Sequence, residues 1–139
     1  MVEKKDIVLF VDDELPILNA IRRAIMDEPF TALFANSGKD ALEMFVQHDI
    51  SVIVTDMRMP GMDGLTLLKH VREISPKTTR VVLSGYTQLS QVLAAVNHGE
   101  IFQFISKPWE MEEDLLMVVR RAIERRNLED ERECLRDGL

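Results

Sequence analysis

The sequence predicts an α/β fold, a doubly wound parallel sheet of five strands in the order 2-1-3-4-5 with an extended C-terminal helix. Two observations predict this class. Five short apolar runs rich in β-branched and aromatic residues recur along the 139 residues, and helical patterns fill the intervals between them. Consecutive βα units form three-layer sandwiches through right-handed crossovers, so we expect helices on both faces of one sheet.

The five apolar runs are the expected strands. Most of them lack a strict alternation of apolar and polar residues, which is typical of strands buried on both faces of a parallel sheet. They run from Ile7 to Val11, Thr31 to Ala35, Ser51 to Thr55, Arg80 to Ser84 and Ile101 to Ser106.

Apolar residues three or four positions apart predict amphipathic helices between these strands. The clearest spacing of four joins Ile17, Ile21 and Ile25. Helix boundaries agree with the pattern, because Ser37 can open one helix in a capping box and Asp63 can cap another that begins near Gly64.

The C-terminal segment changes in character. With 46% apolar residues, the chain has material for one core and not for two full domains. Apolar residues up to Ala122 can still pack on a sheet, whereas the residues that follow are largely charged. We therefore expect one domain over residues 1–122 and a helical extension or linker over residues 123–139, with contact to the core ending near the boundary.

Opposite charges support a helix in this extension. Arg125 with Glu129 and Arg126 with Asp130 lie four residues apart, a spacing that stabilises a solvated helix by a few tenths of a kcal/mol per pair. A connection towards a further module or a dimer partner is our interpretation, and a frayed polar tail is the alternative.

Composition limits the environment and the partners. The formal net charge is −7, which argues against non-specific binding to nucleic acid and suits a protein that binds cations. Cys134 is the only cysteine, so no intramolecular disulfide can form. No apolar stretch approaches the roughly 20 residues of a membrane-spanning helix. We expect a soluble cytoplasmic protein without direct contact to membranes or nucleic acid.

Three carboxylates are expected at one edge of the sheet. Asp12 and Asp13 directly follow the first apolar run, and Asp56 follows the third. Ligands of such sheets bind outside the carboxyl ends of the strands. Crowded anions are unfavourable without a cation, and Mg²⁺ is suited because it takes one or two carboxylates and keeps several waters.

A hydroxyl and an ammonium should join them. Ser84 ends the fourth run, and Lys107 follows the fifth. Phosphoryl transfer to a carboxylate requires a nucleophilic carboxylate, a metal that bridges oxygens, and donors that neutralise the charge on the phosphoryl oxygens. Agreement among the strand ends therefore favours a phosphoryl-accepting site.

Four motifs carry a resemblance to a known family. The segments VDDE, TDMRMPGMDG, LSGY and FISKPW resemble the signature motifs of response-regulator receiver domains, and the match spans roughly residues 6–122. The resemblance implies the flavodoxin-like fold of chemotaxis receivers. It also implies a bacterial phosphoprotein of two-component (phosphorelay) signal transduction that is not a turnover enzyme, since it catalyses only its own phosphoryl transfer and autodephosphorylation.

The resemblance assigns a role to each matching position. Asp56 would be the phosphoacceptor and also a metal ligand. Asp12 and Asp13 would hold Mg²⁺ directly or through water, and the backbone carbonyl of Arg58 would complete the protein ligands. Ser84 would supply the switch hydroxyl that turns towards the phosphoryl group, and Phe104 would be the aromatic switch residue. Lys107 would be the lysine of the family that binds the phosphoryl group. The peptide bond before Pro108 would be cis.

Partners follow from the same resemblance. A histidine kinase or phosphotransfer protein would supply the phosphoryl group, and the face formed by helix 4, strand 5 and helix 5 would control an effector domain or protein whose identity is open. A homodimer is a further alternative. The segment GEIFQFISKPW resembles receivers of HD-GYP-type phosphodiesterases and of hydrogenase-type transcription regulators.

Three residues are expected at the rim of the site. Arg58 lies two places after Asp56, and Tyr86 lies two places after Ser84, so both should project over the phosphoryl group and shield it from water. Glu14 flanks the same opening and is expected to hold Arg58.

Two other functions compete with a phosphorylation switch. A turnover phosphatase with an aspartate nucleophile would resemble DxDxT at its first strand, whereas here the candidate nucleophile follows the third strand. A degenerate receiver that acts only as an interaction domain is the other alternative, and the intact set of acidic, hydroxyl and lysine positions argues against it.

Overall fold

A computed structural model of the protein describes residues 6–85, 89–98, 101–107 and 112–137. The described part is a parallel sheet of five strands in the order β2-β1-β3-β4-β5, so the predicted fold class and strand order are confirmed. The strands are β1 (Ile7–Val11), β2 (Thr31–Ala35), β3 (Val52–Asp56), β4 (Thr79–Ser84) and β5 (Gln103–Ser106).

Three strands differ from the sequence prediction: β3 is shifted by one residue, β4 begins one residue earlier at Thr79, and β5 begins later. β3 includes Asp56 as its last residue, because Asp56 is paired in register with Leu83 of β4. β5 begins at Gln103, two residues later than expected. Phe102 already donates its backbone N–H to the carbonyl of Arg80, so the chain reaches the sheet edge just before regular pairing starts.

Five helices cover the sheet: α1 (Leu15–Ala24), α2 (Gly38–Gln47), α3 (Gly64–Ile74), α4 (Leu89–Asn97) and α5 (Glu112–Asp137). The predicted caps are present. Ser37 Oγ accepts a hydrogen bond from the Asp40 N–H at 3.2 Å, and Asp63 Oδ1 accepts one from the Thr66 N–H at 2.8 Å. These bonds satisfy helix-end donors that have no partner within the helix.

The core consists of two apolar layers, one on each face of the sheet. Alternate residues of the strands point to opposite faces, so Phe10 packs in the layer with α1 and α5, whereas Leu9 packs in the layer with α2, α3 and α4. Both side chains are fully buried. Burial on both faces explains why the strands read as continuous apolar runs.

The second half of α5 contradicts the expectation that core contact ends near residue 122. Arg126 is only 4% exposed, and its guanidinium donates to the carbonyl of Ile50 at 2.9 Å and to Asp49 Oδ1 at 2.8 Å. The predicted pair with Asp130 also forms, at 3.1 Å, but it lies against the body of the protein instead of in solvent. Helical spacing could not show this, because the partners come from the loop before β3.

Within the described ranges, no helix combines the length and the apolar character needed to cross a membrane.

Candidate functional site

The carboxyl ends of four strands meet at one edge of the sheet. Asp12 and Asp13 follow β1, Asp56 and Ser84 end β3 and β4, and Lys107 follows β5. Strand register brings these ends side by side, since β1 pairs with β3, β3 with β4, and β4 with β5. The structure therefore brings together all five residues that were predicted from the strand ends.

Three carboxylates form a cluster at this edge. Asp12, Asp13 and Asp56 each offer one oxygen, and these oxygens lie within 4.8 Å of one another. Asp12 is fully buried and Asp56 is nearly so, whereas Asp13 is exposed. The cluster thus opens to solvent on the side of Asp13.

Asp12 is held in place by backbone contacts on both sides. Its N–H donates to the carbonyl of Ala35 at the end of β2, at 3.2 Å, and its Oδ1 accepts from the Glu14 N–H at 2.9 Å. Its other oxygen, Oδ2, is buried and accepts no hydrogen bond of favourable geometry from the described residues, although the Lys107 ammonium lies 2.9 Å away. A buried acceptor of this kind is expected to take a further electropositive partner.

Lys107 is shared among three carboxylates. Its Nζ lies 2.9 Å from Asp12 Oδ2, 3.4 Å from Asp56 Oδ2 and 3.4 Å from Glu14 Oε2. Burial by itself disfavours the ammonium charge, but the close polar contact with Asp12 and the charges of Asp12, Asp56 and Glu14 outweigh it and raise the pKa of Lys107. The side chain therefore stays protonated at neutral pH.

The pKa of Asp56 is raised above its ordinary value. Burial is the main cause and the negative charge of Asp12 adds to it, while Lys107 and the Met57 N–H act in the opposite direction. A carboxylate with fewer solvating waters is a better nucleophile, and it also gains more from a neighbouring cation.

The two switch candidates lie on β4 and β5. Ser84 is 5% exposed, and its Oγ donates to the carbonyl of Gly85 at 3.1 Å. Phe104 is half-buried and packs against the apolar layer that contains α3 and α4. Ser84 thus follows the residue paired with Asp56, and Phe104 lies on the face of the sheet that α3 and α4 cover.

The rim differs from the sequence expectation in one respect. Glu14 contacts Lys107, and its carboxylate is not bonded to Arg58. The Arg58 side chain is exposed and forms no ion pair with any described residue. Tyr86 and Pro108, which the sequence analysis also singled out, lie outside the described residues.

One contact at the site was missed by the sequence analysis. A Cβ added to Gly64 would overlap the carbonyl oxygen of Asp56 and lie 3.0 Å from the Cα of Met57. Gly64 also donates its N–H to the Met57 carbonyl at 2.8 Å. The start of α3 thus rests directly on the backbone of Asp56. The sequence signal was the glycine at the first position of a helix, where its lack of a side chain has no benefit for the helix itself.

The residue types fit a hard divalent cation. Mg²⁺ takes oxygen ligands, and the cluster offers one carboxylate oxygen from each of three residues. One of these residues, Asp12, also has a buried oxygen, Oδ2, without a well-formed hydrogen bond. No histidine or cysteine belongs to the cluster, so the donor set does not suggest zinc.

Comparisons with known proteins agree with this geometry. The family model of the response regulator receiver domain matches residues 8–120. The hydrogenase transcriptional regulatory protein HoxA of Cupriavidus necator is 41% identical over 129 residues, which cover 93% of this chain and 26% of that protein. The DNA-binding transcriptional regulator NtrC of Escherichia coli is 30% identical over 84% of this chain and 25% of its own length. The chain thus spans about a quarter of the length of these relatives.

Solved structures give the same result. A crystal structure described as adenylate cyclase from Rhodopirellula baltica aligns with a TM-score of 0.92 and 33% identity, and the alignment covers 98% of this chain and 100% of that chain. The signal receiver domain of an HD domain-containing protein from Pseudomonas fluorescens aligns with a TM-score of 0.86 and 32% identity, over 95% and 96% of the two chains. The resemblance to hydrogenase-regulator and HD-type receivers is therefore confirmed, and the chain belongs to the response regulator receiver domain family of two-component systems.

Proposed function

We propose that this receiver is a phosphorylation switch in which Asp56 accepts a phosphoryl group from a histidine kinase or a phosphotransfer protein, in a reaction that requires Mg²⁺. One observation carries the proposal: oxygens of Asp12, Asp13 and Asp56 lie within 4.8 Å of one another, and the Lys107 ammonium lies beside two of these carboxylates. Such an arrangement balances the charge of a phosphoryl group as it arrives on a carboxylate.

Each side chain has a distinct task in the proposed transfer. A carboxylate oxygen of Asp56 forms a bond to phosphorus while the bond between phosphorus and the donor imidazole nitrogen breaks, and the electron pair leaves with that nitrogen. Asp12, Asp13 and the carbonyl of Arg58 would hold the cation, which neutralises charge on the phosphoryl oxygens when bound. Lys107 is protonated and close enough to turn from the carboxylates towards those oxygens.

The proposed switch transmits this change to another surface. Ser84 Oγ now bonds the neighbouring carbonyl of Gly85, and it would turn towards the phosphoryl group, with Phe104 moving inward behind it. Phe104 has no hydroxyl, so its inward turn buries a ring without adding a hydrogen bond. The face formed by α4, β5 and α5 is the proposed output surface, and residues 123–139 are the proposed connection to an effector.

The relatives suggest what this surface controls. HoxA and NtrC are named as transcriptional regulators, and each is about four times as long as the matched region. By analogy, we propose that the receiver regulates an effector domain or protein; a second copy of the chain is an alternative partner.

Covalent labelling tests the proposed acceptor. Incubation with acetyl phosphate and Mg²⁺ should add one phosphoryl group per chain, measured by intact mass spectrometry. Asp56→Asn should abolish the label, whereas Asp27→Asn, which removes an exposed carboxylate in the turn after α1, should retain it. Chelation of the metal or Asp13→Ala should suppress labelling at least tenfold, because the incoming charge loses its counterion.

Three outcomes would contradict the proposal. Stoichiometric labelling of Asp56→Asn would place the acceptor elsewhere, and unchanged labelling without metal would remove the role of Mg²⁺. Multiple turnover of a generic phosphate ester, without a stable label, would favour a phosphatase instead.

A further inference from the structure

The segment that connects Asp56 to α3 carries the proposed carbonyl ligand. We call residues 57–63 the acceptor loop. It contains Arg58, whose backbone carbonyl is the proposed metal ligand that is not a carboxylate. Its far end is fixed, since Gly64 lies against the Asp56 carbonyl and bonds the Met57 carbonyl at 2.8 Å. The position of the Arg58 carbonyl therefore depends on what holds the middle of the loop.

Thioether side chains hold much of the acceptor loop. Met57 and Met59 are buried, at 4% and 8% exposure, and pack in the apolar layer with α2, α3 and α4. Between them and α3 the chain turns at Gly61, whose φ of +82° favours glycine.

The remaining contact is made by Met62 on the first residue of α2. A Cβ added to Gly38 would lie 2.8 Å from Met62 Sδ, 3.0 Å from its Cβ and 3.2 Å from its Cγ. The Met62 side chain thus lies directly on the backbone of Gly38, which is buried beneath it. The close approach includes the Cβ of Met62 at 3.0 Å, so a methyl group at position 38 requires Met62 to move by a few tenths of an ångström, and a new position of the Sδ alone does not relieve the contact.

The same turn between β2 and α2 also touches the acidic pair. Ala35, at the end of β2, accepts the hydrogen bond from the Asp12 N–H at 3.2 Å. Ser37 caps α2 and so fixes where Gly38 lies. This turn therefore contacts both segments that would supply metal ligands, the one after β1 and the acceptor loop.

We propose that Gly38 and Met62 are positioning residues for the metal site: their contact sets the distance between the acceptor loop and the acidic pair, and with it the affinity for Mg²⁺. The proposal rests on the proposed function, because it assumes a cation at Asp12, Asp13 and Asp56. Neither residue touches the cation, and both act through the loop that carries the Arg58 carbonyl.

Metal titration tests the contact. The probe is Mg²⁺ alone, titrated into the parent and the variants by isothermal titration calorimetry at a temperature well below every Tm. Gly38→Ala should weaken Mg²⁺ binding about tenfold, because the added methyl pushes Met62 and the loop away. Gly85→Ala is the matched control, since it adds the same methyl group at a position where no atom of the described residues lies within 4 Å, and it should change the affinity less than twofold.

A double-mutant cycle separates the contact from general loss of stability. Met62→Ala removes the Sδ and Cγ, which would lie 2.8 Å and 3.2 Å from a Cβ at position 38. Gly38→Ala should therefore cost clearly less affinity in the Met62→Ala background than in the parent. A purely structural role would lower Tm without this coupling in the metal affinity. Should Gly38→Ala not fold, Met62→Ala alone carries the test, with an expected loss of about threefold.

The possible results are distinct. Equal Mg²⁺ affinity in the parent, Gly38→Ala and Met62→Ala, or strictly additive losses in the cycle, would overturn the positioning role while leaving the site intact. If Asp13→Asn binds Mg²⁺ with the same affinity as the parent, the proposed metal site itself is wrong, and the positioning role is wrong with it.

Discussion

At the residue scale, Lys107 determines the charge balance of the site. Its ammonium contacts Asp12, Asp56 and Glu14, so it is the internal counterion of a cluster that would otherwise be strongly anionic. The sequence predicted the meeting of Lys107 with the aspartates, because strand ends of a parallel sheet share an edge. It did not predict Glu14 as the third partner, since an exposed carboxylate next to two others gives no signal of which cation it approaches.

The lifetime of the phosphorylated state should depend on the rim. Arg58 is exposed. Both Arg58 and Tyr86 are expected from the sequence to project over the phosphoryl group. Hydrolysis requires a water in line with the leaving Asp56 oxygen, so Arg58→Asn together with Tyr86→Ala should speed loss of phosphate about tenfold, or roughly 1.4 kcal/mol of barrier. Decay of the labelled mass after removal of the donor measures this rate.

Arg72→Asn, at the end of α3, is the control for the rim variants and should leave the decay unchanged. If the double variant loses phosphate as slowly as the parent, the rim does not shield the phosphoryl group, and Arg58 and Tyr86 are better interpreted as contacts for a partner.

At the scale of single elements, α3 depends on its first residue and on a cap. Asp63 accepts the Thr66 N–H, and this hydrogen bond is the main reason why the pKa of Asp63 is lowered. Asp63→Ala should therefore lower the free energy of unfolding by about 1 kcal/mol at pH 7. Asp63→Asn retains a capping oxygen, so its free energy of unfolding should fall by only about a few tenths of a kcal/mol.

The cap contribution should also depend on pH. A carboxyl group whose pKa is lower in the folded state stabilises the fold above its unfolded pKa, and the contribution disappears as pH falls through the folded pKa. The difference between the parent and Asp63→Ala should thus shrink below about pH 4. The difference between Asp63→Asn and Asp63→Ala should stay constant; urea unfolding across pH measures both, and parallel curves for all three proteins would contradict the assignment.

The C-terminal half of α5 should be held by one buried arginine. Arg126→Ala removes one of the two donors to the Ile50 carbonyl, which keeps the hydrogen bond from Thr78 Oγ1. It also removes the guanidinium contacts of Asp49 and Asp130. We expect a loss of about 2 kcal/mol in unfolding free energy, below the range for fully buried pairs because Asp49 is exposed. Arg125→Ala, one residue earlier and exposed, should cost less than about 0.5 kcal/mol.

Urea unfolding measures these losses, and amide exchange of residues 123–132 locates them. Faster exchange in Arg126→Ala only is the expected result. Equal stability of the two arginine variants would mean that the buried network adds nothing to the fold.

At the scale of the whole molecule, phosphorylation is expected to shift a population and to change a distant face. Beryllofluoride with Mg²⁺, a mimic of the phosphoryl group, should change amide exchange in α4 and β5 and leave α1 as an internal reference. Asp56→Asn should abolish the change. Effects confined to the residues beside Asp56 would show that Ser84 and Phe104 do not couple the site to this face.

The sequence predicted the fold and the site to different depths. Apolar runs rich in β-branched and aromatic residues predict strands such as Ile7–Val11, and the order of a doubly wound sheet then places the strand ends together. The close approaches at Gly38 and Gly64 were not predictable, because a glycine in a helical pattern does not reveal which backbone or side chain lies against it. Nor was the burial of Arg126, whose partners lie 76 and 77 residues earlier in the chain.

The Arg126 contact has a geometric consequence for anything that follows the receiver. It fastens α5 to the loop before β3, the strand that ends in Asp56, and so fixes both the axial position and the rotation of the helix at that point. Each residue beyond it advances a helix by about 1.5 Å and turns it by about 100°. The orientation of an attached effector would then depend on helical phase: one inserted residue would turn it away, and seven would nearly restore its direction.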